Sequence, residues 1–210
     1  MCDDRGVTQT GRVWGGMTNA EREERRREQL LEAGLEVFGV RGWHGSTVLD
    51  LCRAARLSQR YFYDHFASRE ELFLAVVDRV AEQVEEVVRA ASTARGQTPQ
   101  ARVEGVLTAL ADLFTADPRT VRVALVESFA TEALRARRAA LIAAFGALGA
   151  RLMATLDGAS GDDRRLQLSA LILAGGIAEA LVASASGADP ADPRELVAHL
   201  TRLYTAAARL

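Results

Sequence analysis

From Ser58 to Leu72 the chain reads SQRYFYDHFASREEL, and setting aside the apolar anchors Phe62 and Phe66 leaves Gln59, Arg60, Tyr61, Tyr63, Asp64 and His65 on one short helix. Amide, guanidinium, phenol and imidazole groups dominate that surface, with one carboxylate among them. Arginine forks and side-chain amides pair bidentately with guanine and adenine edges, apolar faces pack on thymine methyls, and polar donors hold phosphate oxygens. Gln59, Arg60 and Tyr61 stand at the start of the helix, where base edges would be met. Each has an ordinary alternative. Tyr61 packs on a neighbouring helix, Arg60 pairs with Asp64 at i+4, and His65 is an interior histidine.

Two short helices, a tight turn and the start of a third must position these groups. Thr47 and Asp50 form a capping-box-like pair, after which Val48, Leu51, Cys52 and Ala55 recur on one apolar face. Ser58 predicts a cap for the second helix. Ser68 with Glu71 opens a long helix carrying Leu72, Val76, Val80, Val84 and Val87, and the segment from Ser92 to Pro99 breaks it. Upstream, Thr18 with Glu21 opens another long helix, charged at first and apolar only at Leu30, Leu31, Leu35 and Phe38, which stops between Gly39 and Gly42.

The order of residues from Ser58 to Leu72, with Leu31, Ala33, Leu35, Phe38, Gly42 and Trp43 before it, resembles the DNA-binding region of the TetR family of bacterial transcriptional regulators over Gln29 to Val77. The resemblance implies an all-α chain with an amino-terminal three-helix helix-turn-helix DNA-binding domain and a carboxy-terminal helical ligand-binding and dimerisation domain. It assigns Thr47, Tyr63, His65 and Arg69 to phosphates. It also implies a homodimer that binds a double-stranded DNA operator and is released by a small-molecule effector. The alanine-rich, aromatic-poor carboxy-terminal lobe points to a lipophilic ligand, and a repressor is expected because blocking a promoter needs no further surface. Arg56 departs from the pattern, since the family has glycine in this turn. Either the turn accepts a non-glycine residue at positive φ or it bends differently.

Composition narrows the remaining classes. A chain of 210 residues with 49% hydrophobic residues can bury a core, and its net charge of −2 gives no overall basicity. Locally, Arg41 to Arg69 holds arginines 41, 53, 56, 60 and 69 against Asp50 and Asp64, a balance of 5 − 2 = +3. Cys2 and Cys52 offer no disulfide framework, which fits a reducing cytoplasm. No signal peptide is evident, and the apolar run Ala139 to Ala150 is too short for a bilayer that needs about 20 helical residues, so no membrane partner is expected. Histidines 44, 65 and 199 form no metal motif, and no nucleophile elbow or phosphate-binding glycine loop occurs, so neither an enzyme nor a cofactor site is indicated.

The expected organisation is an arm over 1–17, where Arg5 and Arg12 could visit a minor groove, a helix-turn-helix domain over 18–67, a connecting helix over 68–95 and a helical domain over 96–210. Thr98-Pro99, Asp117-Pro118 and Asp192-Pro193 each read as a cap followed by proline at the first helical position, while Gly158 and Gly187 read as stops. Helices over about Thr131 to Asp157 and Asp162 to Ser186 are apolar nearly all round, which predicts that a second subunit covers part of them. Gly146, Ala150, Gly175 and Gly176 permit close approach. For a ligand site in this domain, Phe114, Arg122, Glu127, Phe129, Met153 and Glu179 combine carboxylates, an arginine and scarce aromatics with apolar surroundings. A competing assignment is a helical adaptor that binds another protein, with Arg56 and Asp64 as its motive.

Overall fold

The computed structural model of the chain describes residues 18–93, 97–159, 161–187 and 192–210. The expected arm, with Cys2, Arg5 and Arg12, lies outside these residues. Among the described residues the chain is helical and holds no strand: α1 (Asn19–Arg41), α2 (Val48–Ala55), α3 (Gln59–His65), α4 (Arg69–Ser92), α5 (Pro99–Ala116), α6 (Pro118–Val121), α7 (Glu132–Met153), α8 (Asp163–Ala185) and α9 (Pro193–Ala207).

Side chains fix most helix starts. Thr18 and Glu21 form the reciprocal capping box of α1, Thr47 and Asp50 that of α2, and Ser68 accepts from the Glu71 N–H at the start of α4. Ser58 departs from prediction: it precedes α3 but makes no side-chain cap. The backbone sets the turn instead. Arg56 takes the left-handed conformation at φ 56°, and the Leu57 N–H reaches back 3.0 Å to the Cys52 carbonyl, the closure that usually recruits glycine. The turn therefore accepts arginine at positive φ.

Phe38, Phe62, Phe73, Leu30, Leu51 and Leu72 are fully buried where α1 to α4 meet. Phe73 joins the ring cluster, 4.7 Å from Phe38 and 5.5 Å from Trp43. The first half of α4 thus completes the head's core, and further along Val88, rather than Val87, continues the buried stripe because it falls on the inward face.

Between α6 and α7 the chain widens into a π-turn over Arg122–Val126 and tightens into a 3-10 turn over Glu127–Phe129. This irregular segment lies against the head. Val123 and Ala124 join the head's core. Above it, α7 crosses α8 so closely that a Cβ on Gly146 would stand 3.1 Å from the Leu171 Cα. The outer side of α8 stays uncovered: Leu168, Leu171 and Ile172 are 59%, 42% and 64% exposed. At 23 residues and a mean hydropathy of 1.8 over its most apolar window, α8 is long and apolar enough to cross a membrane, which Ala139 to Ala150 did not reveal. Isolated polar residues interrupt the run of letters in α8, yet its average stays high.

Candidate functional site

The core anchors divide α3 cleanly. Phe62 and Phe66 point inward, while Gln59, Arg60, Tyr63 and Asp64 are exposed. Arg60 has no ion-pair partner among the described residues, so Asp64 does not claim it. Tyr61 and His65 are half-buried against the start of α1. The Arg26 guanidinium lies 4.2 Å from the centre of the Tyr61 ring, and His65 Nε2 stands 3.1 Å from Glu23 Oε2 at an angle that makes no hydrogen bond. The charged first turns of α1 therefore brace the side of α3.

Thr47 is exposed at the start of α2, but its hydroxyl donates to Asp50 Oδ2 at 2.6 Å and accepts from the Asp50 N–H. Arg41 reaches the other Asp50 oxygen at 3.0 Å. The hydrogen bond from the Thr47 side chain, more than any other contact, holds the Asp50 carboxyl below its ordinary range. Arg69 is fastened inward: its Nη1 donates to the carbonyls of Trp43 and Ser46, and its guanidinium stacks 3.9 Å from the centre of the Trp43 ring. Partial burial lowers its pKa but leaves it charged. Arg69 thus ties the turn before α2 to the start of α4, a positioning role that spacing alone did not disclose.

The geometry is two short helices joined by a tight turn, with the second presenting an amide, a guanidinium and a phenol outward. Residues 30–76 match the family model described as bacterial regulatory proteins, tetR family. Over those residues the chain is similar to the DNA-binding region of the TetR family. Its sequence is 32% identical over 109 residues to the HTH-type transcriptional activator FasR of Mycolicibacterium smegmatis, covering 52% of this chain and 49% of that protein. It is 30% identical over 61 residues to the HTH-type transcriptional repressor NicS of Pseudomonas putida, covering 29% of each. The chain thus spans half or less of the length of these relatives. The transcriptional regulator FadR of Bacillus subtilis, solved in complex with stearoyl-CoA, shares the fold with a TM-score of 0.71 at 16% identity, over 86% of this chain and 98% of that one.

Beyond the head the chain holds an apolar cavity of about 120 Å³ between α4, α5, α7, α8 and α9. Val84, Phe114, Leu125, Phe145, Ile177 and Tyr204 are among its walls. Of the six residues singled out for a ligand site, Phe114 lines it and the other five do not. Met153 is fully buried in the core cluster that also holds the cavity-wall residues Val103, Leu107 and Tyr204, without itself lining the space. Glu179 pairs with Arg138 at 2.5 Å, and Arg138 also covers Phe129 at 4.6 Å.

Arg122 and Glu127 belong to the junction with the head. Glu127 Oε2 accepts the Trp43 N–H at 2.8 Å, Arg122 Nε stands 3.3 Å from Glu127 Oε1, and Arg122 Nη1 donates to the Val40 carbonyl at 3.1 Å. Their charges looked like a ligand's polar contacts because sequence shows an interrupted apolar helix and not what interrupts it. The π-turn aims both side chains at the end of α1.

Proposed function

We propose that the protein is a homodimeric regulator of transcription that reads a roughly palindromic double-stranded operator with α3 and releases it when a small lipophilic effector fills the cavity. The observation that carries this is the outward face of α3, where Gln59, Arg60 and Tyr63 stand free above Phe62 and Phe66. Gln59, Arg60 and Tyr61 are assigned to base edges, and Thr47, Tyr63, His65 and Arg69 to phosphates. Contact by Tyr61, His65 and Arg69 requires their outer edges alone, since their inner sides brace the head. Residues 18–67 are assigned to the reading domain, completed by the first half of α4, 68–95 to the connection whose described helix is α4, and 96–210 to the effector and dimerisation domain.

The uncovered face of α8 supports a second copy. A Cβ at Gly175 or Gly176 would meet no atom within 4 Å, so neither glycine is explained by packing within one chain, and Leu168 and Ile172 lie exposed on the same helix. A two-fold pairing through α7 and α8 sets two heads on successive major grooves when they stand about 34–36 Å apart. Val80 and Val84 of α4 line the cavity while Val76 and Val77 of the same helix sit in the head's core. A guest larger than the present space pushes α4 and changes the spacing of the heads. The stearoyl-CoA complex of the Bacillus subtilis relative favours a guest with a long hydrocarbon part. Repression is the simpler outcome, because blocking a promoter needs no further surface, and the cytoplasm is its place of action.

Fluorescence anisotropy against DNA from upstream of the protein's own gene, titrated in salt with an unrelated duplex as competitor, tests the reading. Selective binding with log affinity falling by about 0.9 per phosphate contact per unit of log salt supports it. Failure to bind DNA at low salt, in a sample shown by mass spectrometry to carry no ligand, transfers the fold to the adaptor role, in which the exposed Asp64 repels no phosphate.

A further inference from the structure

The cavity wall is hydrocarbon except at one point. Among the described residues Tyr204 on α9 is the only lining residue with a polar side-chain atom, and no charged residue lines the space. Tyr204 is 6% exposed, and its hydroxyl has no hydrogen-bond partner among the described residues. That hydroxyl lies against Gly149, another wall residue, where a Cβ would stand 3.0 Å from the oxygen. Glycine at this position makes room for the phenol beside the cavity. A hydroxyl without a protein partner beside an apolar space gains by meeting an acceptor there. A carboxylate or ammonium in the same place loses its hydration with no opposite charge in the wall to replace it.

We propose that the effector is an uncharged lipophile of the ester, ketone or lactone class whose carbonyl oxygen accepts a hydrogen bond from Tyr204. The inference rests on the cavity being the effector site. Burial pushes the phenol up from its ordinary value, so Tyr204 remains a donor at neutral and mildly alkaline pH.

Isothermal titration of the full chain and of Tyr204→Phe with three matched probes, methyl heptanoate, octane and octanoate at pH 8, tests it. The variant keeps the ring and loses a hydroxyl that has no protein partner, so its melting without probe should match the parent. The ester is expected to bind the variant about fivefold more weakly than the parent, octane to bind both alike, and octanoate to bind the parent at least about tenfold more weakly than the ester. Equal affinity of the ester for both proteins overturns the role of Tyr204 while leaving the cavity as a lipophile site. Octanoate binding as tightly as the ester overturns the uncharged class. Absence of binding by all three overturns the cavity as effector site and this proposal with it.

Discussion

Exposure separates the residues of α3 by the work left to them. Arg60 stands clear of any described ion pair, so Arg60→Ala should remove about 1–3 kcal/mol of preference for the right base while leaving binding to random DNA little changed. Competition anisotropy with operator variants reads that preference. Tyr63 is 57% exposed, and Tyr63→Phe should weaken every duplex about equally, by about 1 kcal/mol for one lost hydrogen bond. If both variants bind like the parent, the groove-facing side is misassigned. Arg56 is held at φ 56°, a conformation that costs an L-residue about 1–2 kcal/mol. Arg56→Gly should therefore raise the urea midpoint by the equivalent of about 0.5–1 kcal/mol, the glycine's greater freedom in the unfolded chain offsetting part of the gain. An unchanged or lower midpoint would show that the arginine side chain stabilises the turn.

At the scale of elements, caps and junctions carry the polar energetics. Glu21 is held below its ordinary pKa first by the Thr18 backbone N–H, Asp50 by the Thr47 hydroxyl and Asp117 by the Arg119 guanidinium. Depressed folded-state values mean that this stability is fully present above the unfolded carboxylate values of about 4 and is lost as pH falls through the folded ones. The urea midpoint should accordingly drop between pH 5 and 2, and Asp50→Asn should flatten part of that drop; a flat profile in the parent would remove the caps from the account. Glu127 joins the π-turn segment to the end of α1 through the Trp43 N–H. Glu127→Ala leaves that N–H without its partner, at about 1–3 kcal/mol in urea unfolding. It should also weaken the effect of a bound lipophile on DNA affinity, read by anisotropy with and without ligand. Full stability with intact coupling would make the Glu127 contact incidental.

For the whole molecule, the uncovered side of α8 decides the assembly. Ile172→Glu places a charge where Ile172 is 64% exposed in one copy, so the isolated fold should tolerate it. In a dimer that pairs through this face the same charge is buried and unpaired. Sedimentation should show a monomer with unchanged helical circular dichroism, and operator affinity should fall because two heads no longer bind as one unit. A variant that stays dimeric with full affinity would place the interface elsewhere.

Local signals that need few neighbours were legible in the sequence. Thr18, Thr47, Ser68, Thr98, Asp117 and Asp192 marked helix starts because capping is settled within a few residues, and Phe62 and Phe66 marked the inward side of α3 because helical periodicity fixes it. The same locality made the all-α class and the likeness of residues 30–76 to the TetR family readable. What required the third dimension were contacts between residues far apart in the chain. Arg122 and Glu127 read as ligand contacts, whereas the π-turn aims them at α1, and Arg69 read as a phosphate contact with no sign of its inward ties to Trp43 and Ser46. Tyr204 carried no signal at all, since a lone tyrosine on an amphipathic helix is ordinary. Its place beside Gly149 and the cavity exists only once α9 packs against α5, because long-range packing, not local propensity, chooses which side chains share a space.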